Sequence, residues 1–151
     1  PMARRAMRGK PRMSAFTPDE QYTMMTLWAI FKSPLMLGCN LPEIDPFTLS
    51  LITNEEVINV NQHSVNNREV YEKEGVIVWA AESADGHEHY VAVFNTTDHM
   101  LENYVFALDE VGVLGNVKSF DVWTKTDLKV EDNKVNLAVN AHGARLIKIC
   151  L

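Results

Sequence analysis

Cysteine is scarce in this chain: Cys39 and Cys150 are the only two, and they lie far apart. They form no CxxC pair and no Cys/His spacing of a zinc site, which excludes a disulfide scaffold and a cysteine-based metal centre. Each sits among apolar residues at the end of a predicted strand, the setting of a buried free thiol. Long apolar runs are missing as well. The longest, around Met24–Phe31, is interrupted by Thr26 and stopped by Lys32, well short of a membrane span. The seven glycines are dispersed and cradle no phosphate, and no Ser/His/Asp arrangement is discernible. The sequence shows no internal repeat or low-complexity tract, and no secretion signal is visible within these residues.

The start of the chain carries charge of one sign only. Arg4, Arg5, Arg8, Lys10 and Arg12 all precede the first acid, Asp19; the rest of the chain sets nine basic residues against twenty acidic ones. With no interleaved aromatics and no nucleic-acid-binding pattern behind it, the basic arm reads as a solvated loop, and nucleic acid is not an expected partner. With 46% hydrophobic and 23% charged residues the composition is that of an ordinary globular protein.

The two parts of the chain differ in character. Thr17-Pro18-Asp19-Glu20 carries a capping box with proline at the first helical position, so a helix starts there, and Pro34 ends it. Met24, Leu27, Trp28 and Phe31 are spaced along one face; Met25 and Ile30 widen the stripe, so more than one neighbour is expected. Leu35–Gly38 has no polar residue and no alternation, which predicts a strand buried on both faces. Asp45-Pro46 and Thr53-Asn54-Glu55-Glu56 open two further helices, running through Ile52 and Val60. This alternation is that of an α/β fold, yet one strand makes no sheet.

Beyond the polar stretch Gln62–Arg68 the pattern becomes that of short strands. Eight are predicted: Arg68–Lys73, Val76–Glu82, His89–Asn95, Leu101–Ala107, Val117–Thr124, Leu128–Glu131, Lys134–Val139 and Ala144–Cys150. Turn signals at Ala84-Asp85-Gly86, Glu131-Asp132-Asn133 and Ala141-His142-Gly143 separate them, and no helix intervenes. An antiparallel β-sandwich is expected over residues 66–151, and a remnant of a different domain over 1–65.

Four segments in order resemble the C-terminal part of glycoside hydrolase family 27, the α-galactosidase and α-N-acetylgalactosaminidase family. They are Phe31-Lys32-Ser33-Pro34-Leu35-Met36 after the Trp28-Ala29 helix, Leu51–Gln62, Asp121–Leu128, and His142–Ile147. The resemblance implies a mainly β chain in which the last helix-strand-helix segment of a (β/α)8 barrel precedes the sandwich. It further implies a retaining glycosidase, acting on terminal α-linked galactose-type sugars, with no cofactor. Such an enzyme uses two carboxyl groups about 5–5.5 Å apart; in the family both are aspartates on earlier barrel strands. Pro1-Met2-Ala3-Arg4 is similar to the sequence just after a third family motif. The expectation is therefore a fragment without catalytic residues, inert by itself, whose parent is secreted or periplasmic.

Within the chain, Cys39 and Asn40 would stand at the C-terminal end of a barrel strand, where barrel active sites form, and Arg4 in a neighbouring loop on the same face. These three are the substrate-proximal candidates. Glu55 and Glu56, adjacent in a helix's first turn, read as helix-end acids rather than a catalytic pair. His87 and His89 share a strand face and read as part of a wet hairpin. Asn95-Thr96-Thr97 matches a glycan acceptor triplet with nothing to support its use. Trp79, Tyr90, Phe94 and Trp123 read as core rather than as a sugar-stacking platform, which would suit an autonomous carbohydrate-binding sandwich. The helix face of Met24, Leu27, Trp28 and Phe31 needs cover, from the sandwich or from a second copy in a homo-oligomer.

Overall fold

The computed structural model describes residues 13–151, which form three layers: helices, a six-stranded antiparallel sheet and a three-stranded antiparallel sheet. Helices α1 (Pro18–Ile30), α2 (Pro46–Ile52) and α3 (Glu55–His63) precede strands β1 (Val65–Lys73), β2 (Val76–Glu82), β3 (Glu88–Asn95) and β4 (Leu101–Ala107). Strands β5 (Lys118–Asp121), β6 (Thr126–Leu128), β7 (Val130–Glu131), β8 (Lys134–Val139) and β9 (Ala144–Cys150) follow. The large sheet has the order β1-β2-β3-β9-β5-β6, the small one β4-β8-β7.

Each helix starts where its side chains can satisfy the free amides of the first turn. Thr17 and Glu20 make the expected reciprocal capping box on α1. The Asp45 carboxylate accepts from Thr48 N at 3.0 Å on α2, and Asn54 Oδ1 accepts from Glu56 N and Val57 N on α3. At the other end of α1, Asn61 donates to the Trp28 and Ser33 carbonyls and Asn67 to the Ile30 carbonyl. The exit of the first helix is thus held by amides from α3 and β1.

Strand alternation divides the large sheet between two cores. Val76, Val78 and Ala80 of β2, Val91 and Val93 of β3, and Ile147 and Ile149 of β9 face the small sheet, against Phe106, Val135, Leu137 and Val139. The intervening residues, among them Ala81, Tyr90, Ala92, Phe94 and Leu146, meet Met25, Ala29, Ile30, Leu51, Val57 and Val60 of the helices. Register follows directly, with Val91 opposite Ile147 and Ala92 opposite Leu146. The buried Asp121 carboxylate accepts from Trp123 N and Thr124 N, which ends β5 earlier than predicted, and pairs with Arg145 at 3.2 Å. Nine strands stand where eight were expected, because Leu128–Glu131 divides into β6 and β7.

Three expectations fail. Cys39, expected as a buried thiol, is exposed, because the strand it was to end does not form. The face of α1 that packs on the sheet is Tyr22, Met25, Thr26, Ala29 and Ile30, about half a turn from the centre of the predicted one, of which Trp28 and the widening residues Met25 and Ile30 pack here. Leu27 and Phe31 are left 41% and 58% exposed, so the sandwich covers them only in part. Thr26 is tolerated inside because the Trp123 indole donates to its hydroxyl at 2.8 Å. Leu35–Gly38 is no buried strand: Met36 is 80% exposed, and none of the four residues makes a backbone hydrogen bond among the described residues. A strand needs a neighbour, and none lies beside this segment.

The choice of helix face is open to measurement. Ile30→Ala should cost about 2–5 kcal/mol of unfolding free energy, whereas Leu27→Ala should stay within about 0.5 kcal/mol. Urea titration of both variants checks this, and equal losses would contradict the packing described.

Candidate functional site

The segment expected to approach a substrate lies between α1 and α2. Lys32 turns the chain out of α1 with a positive φ of 57°, and its ammonium donates to the Ser64 carbonyl. The extended residues after Pro34 carry Cys39 and Asn40 to the surface, where both are exposed. The Asn40 carbonyl accepts from Glu43 N in a 3-10 turn over Leu41–Glu43, and its side chain caps nothing. Arg4 lies outside the described residues. Among the described residues, Cys39 and Asn40 border neither the polar nor the apolar cleft described below, and no contact joins them into a site.

The first cleft, about 290 Å³, is polar and lies between the end of α3 and the β2–β3 turn. Asn59, His63, Ser83, Asp85, Glu88 and Tyr90 line it. Tyr90 is 1% exposed; its hydroxyl donates to Glu88 Oε2 at 2.6 Å and accepts from Asn59 Nδ2 at 3.3 Å. Lys148, projecting from the same face of β9, pairs with Glu88 Oε1 at 2.7 Å and with Glu56 Oε2 at 3.3 Å. Glu56 is therefore more than a helix-end acid: Asn54 does the capping, and Glu56 reaches across to the sheet. Lys148 between Ile147 and Ile149 of β9 was the signal for this network, since a charge among isoleucines needs partners.

Two carboxylates close to one another invite comparison with a glycosidase pair. A glycosidase acid must keep its proton near neutral pH, which requires a raised pKa. Burial alone would push the Glu88 carboxyl up, but hydrogen bonds from Lys148 and Tyr90 and the Lys148 charge outweigh it and hold it below the ordinary value of 4.5. Lys148 is shifted up despite burial, held charged by Glu88 and Glu56. The result is a salt-bridged tie between helix and sheet, with no proton to give.

The second cleft, about 460 Å³, is apolar and lined by Leu27, Trp28, Phe31, Ile77, Trp79 and Phe94, with Ser33 and Glu69 among them. Phe31 and Trp79 meet edge to face with ring centroids 5.3 Å apart. Tyr90 and Phe94 are buried, and Trp79 and Trp123 pack partly buried against the helices, so these four aromatics are mostly taken up in packing, with Trp79 and Phe94 also bordering this cleft. Among the described residues no group of three or more His, Cys, Asp or Glu side chains could hold a metal ion, and His87 and His89 do not converge with other ligands. No described helix is long and apolar enough to cross a membrane.

Because the folded Glu88 carboxyl titrates below 4.5, its contribution to stability is complete above that pH and is lost as pH falls through the lower folded value. The stability advantage of wild type over Glu88→Gln should therefore be largest near neutrality and shrink below about pH 4.5. Denaturant titrations of both proteins across that range check it; a constant difference would mean that the ionised carboxylate is not what matters.

Comparison with known proteins places these features in a family. A model of the α-galactosidase C-terminal β-sandwich domain matches residues 73–149, and a model of α-galactosidase A matches residues 13–63. The coffee (Coffea arabica) α-galactosidase is 29% identical over 134 residues, covering 86% of this chain and 35% of its own length. A Bacillus halodurans protein described as a candidate α-N-acetylgalactosaminidase is 42% identical, with a TM-score of 0.87 over 94% of this chain and 34% of its own. A β-L-arabinopyranosidase of Geobacillus stearothermophilus is 39% identical with the same TM-score, over 96% of this chain and 33% of its own. The chain spans about a third of the length of these relatives. With one model on the helical segment, another on the sandwich, and the same fold shared over nearly all of its residues, the chain belongs to glycoside hydrolase family 27, the α-galactosidase and α-N-acetylgalactosaminidase family.

Proposed function

We propose that this chain supplies the barrel-closing helices and the C-terminal sandwich of a retaining glycosidase that removes terminal α-linked galactose-type sugars. Its 151 residues do not hydrolyse such sugars unaided. The observation that carries this reading is the order of the two matches, an α-galactosidase segment over 13–63 followed by the family's sandwich over 73–149. The chemistry agrees. Retaining hydrolysis needs an ionised nucleophile and a protonated acid facing one sugar, and the neighbouring carboxylates Glu56 and Glu88 are both bound to Lys148. In this reading the nucleophile and the acid are aspartates of the longer protein, outside these residues.

The substrate class rests on the relatives' names. An α-galactosidase and a β-L-arabinopyranosidase act on rings of the same stereochemistry, differing by one hydroxymethyl group, and both are similar to this chain. "Galactose-type" is the class common to them.

Purified 151-residue chain should release no aryl alcohol from an aryl α-galactoside, while the longer protein encoded with it should. Turnover by the chain alone would overturn the assignment of the catalytic groups, and turnover of a different sugar by the longer protein would correct the substrate only. Because the sandwich aromatics are spent in the core, galactose titrated into the chain should leave its amide chemical shifts unchanged; a saturable response would favour a carbohydrate-binding module instead.

A further inference from the structure

Asn95-Thr96-Thr97 is the one Asn-x-Ser/Thr triplet in the sequence, and it ends β3. We infer that Asn95 is a structural amide, closed to glycan transfer once the chain has folded, and that glycosylation there and completion of the sandwich exclude one another.

Asn95 is 1% exposed, and every polar atom of its side chain is in use. Nδ2 faces three carbonyl oxygens, of His99 at 2.8 Å, Asn140 at 3.0 Å and Val139 at 3.2 Å. Oδ1 accepts from Thr97 N at 3.0 Å and from Thr97 Oγ1 at 2.7 Å. Its backbone N–H donates to the Gly143 carbonyl. One side chain thus joins the end of β3, the loop entering β4 and the end of β8, tying the large sheet to the small one at one end of the sandwich.

The other two residues of the triplet are equally committed. Thr96 donates through N and Oγ1 to the Gly75 carbonyl, at 2.8 and 2.9 Å. The Thr97 hydroxyl lies 2.7 Å from Asn95 Oδ1 and 3.0 Å from the His99 carbonyl. A Cβ on Gly75 would come within 2.5 Å of Thr97 Cγ2, so the β1–β2 turn is pressed directly onto the triplet.

Glycan transfer forms a bond between Nδ2 and the sugar's C1, breaks the bond from C1 to its lipid pyrophosphate carrier, and releases one proton from the nitrogen. The product keeps a single N–H where three carbonyls converge, and a sugar ring must enter a site with no free volume. Leaving a buried carbonyl unpaired is unfavourable before any steric term. A modified chain therefore cannot close this corner, and a closed corner cannot be modified.

The test is to secrete the full chain from a yeast that attaches N-linked glycans, alongside a D85N/H87T variant that adds a second acceptor triplet at the exposed β2–β3 turn. The folded fraction of the wild type should have the mass of the unmodified chain and show no mass shift on endoglycosidase treatment, with any glycan at Asn95 confined to protease-sensitive, unfolded material. The variant should gain a glycan and remain folded. Peptide mapping that finds a glycan on Asn95 in cooperatively unfolding protein would overturn the inference. Asn95→Asp, made without glycosylation, sets a carboxylate against three carbonyl oxygens and should abolish the cooperative transition; a wild-type transition midpoint would contradict the structural role.

Discussion

One constraint organises this chain: the central strands of the six-stranded sheet are buried on both faces. Its central strands β2, β3 and β9 must present apolar side chains alternately to the small sheet and to the helices, so neither set of neighbours can be removed without exposing half of the sheet. At about 25 cal/mol per Å² of apolar surface, such exposure would erase most of a domain's margin of stability. The helices are therefore a layer of the same packed body as the sandwich.

Polar groups on the helix side of the sheet are there because they have partners. Lys148 stands between Glu56 and Glu88, Tyr90 relays from Asn59 to Glu88, and Trp123 finds Thr26. Each crosses from helix to sheet, so these bonds orient the α1–α3 segment on β3, β9 and the β5–β6 turn. Hydrophobic contact alone would leave that orientation loosely specified. In a glycosidase, such ties would hold the sandwich against the barrel rather than touch the sugar.

Much of the architecture was legible because it depends on local signals. Thr17 to Glu20, Asp45 and Asn54 start helices through atoms within a few residues, and the strands Val76–Glu82, Leu101–Ala107, Lys134–Val139 and Ala144–Cys150 begin and end at turns as expected. What could not be read was which of two apolar surfaces a helix would use. α1 is apolar on the Met24, Leu27, Phe31 side and on the Met25, Ala29, Ile30 side, and sequence periodicity cannot rank them. The apolar run Leu35–Gly38 was read as a strand, but strand formation needs a partner that its own residues do not provide. Of the candidate site, Cys39 and Asn40 fall on one exposed segment, against the buried thiol expected at Cys39, while the Lys148 network, scattered over residues 56, 59, 88, 90 and 148, left only a lysine between two isoleucines as a clue.

The sequence by itself determined the family, the order of elements and the positions of most turns, since these rest on capping, alternation and motif order, all of them short-range. Tertiary structure decided which helix face meets the sheet, that β2, β3 and β9 serve two cores, and that Asn95 is a buried tie and not an open acceptor. Those outcomes depend on side chains far apart in sequence meeting in space: the burial of Asn95 is set by carbonyls at 99, 139 and 140, and that of Thr26 by an indole at 123. No reading along the chain can supply such partners before the layers close.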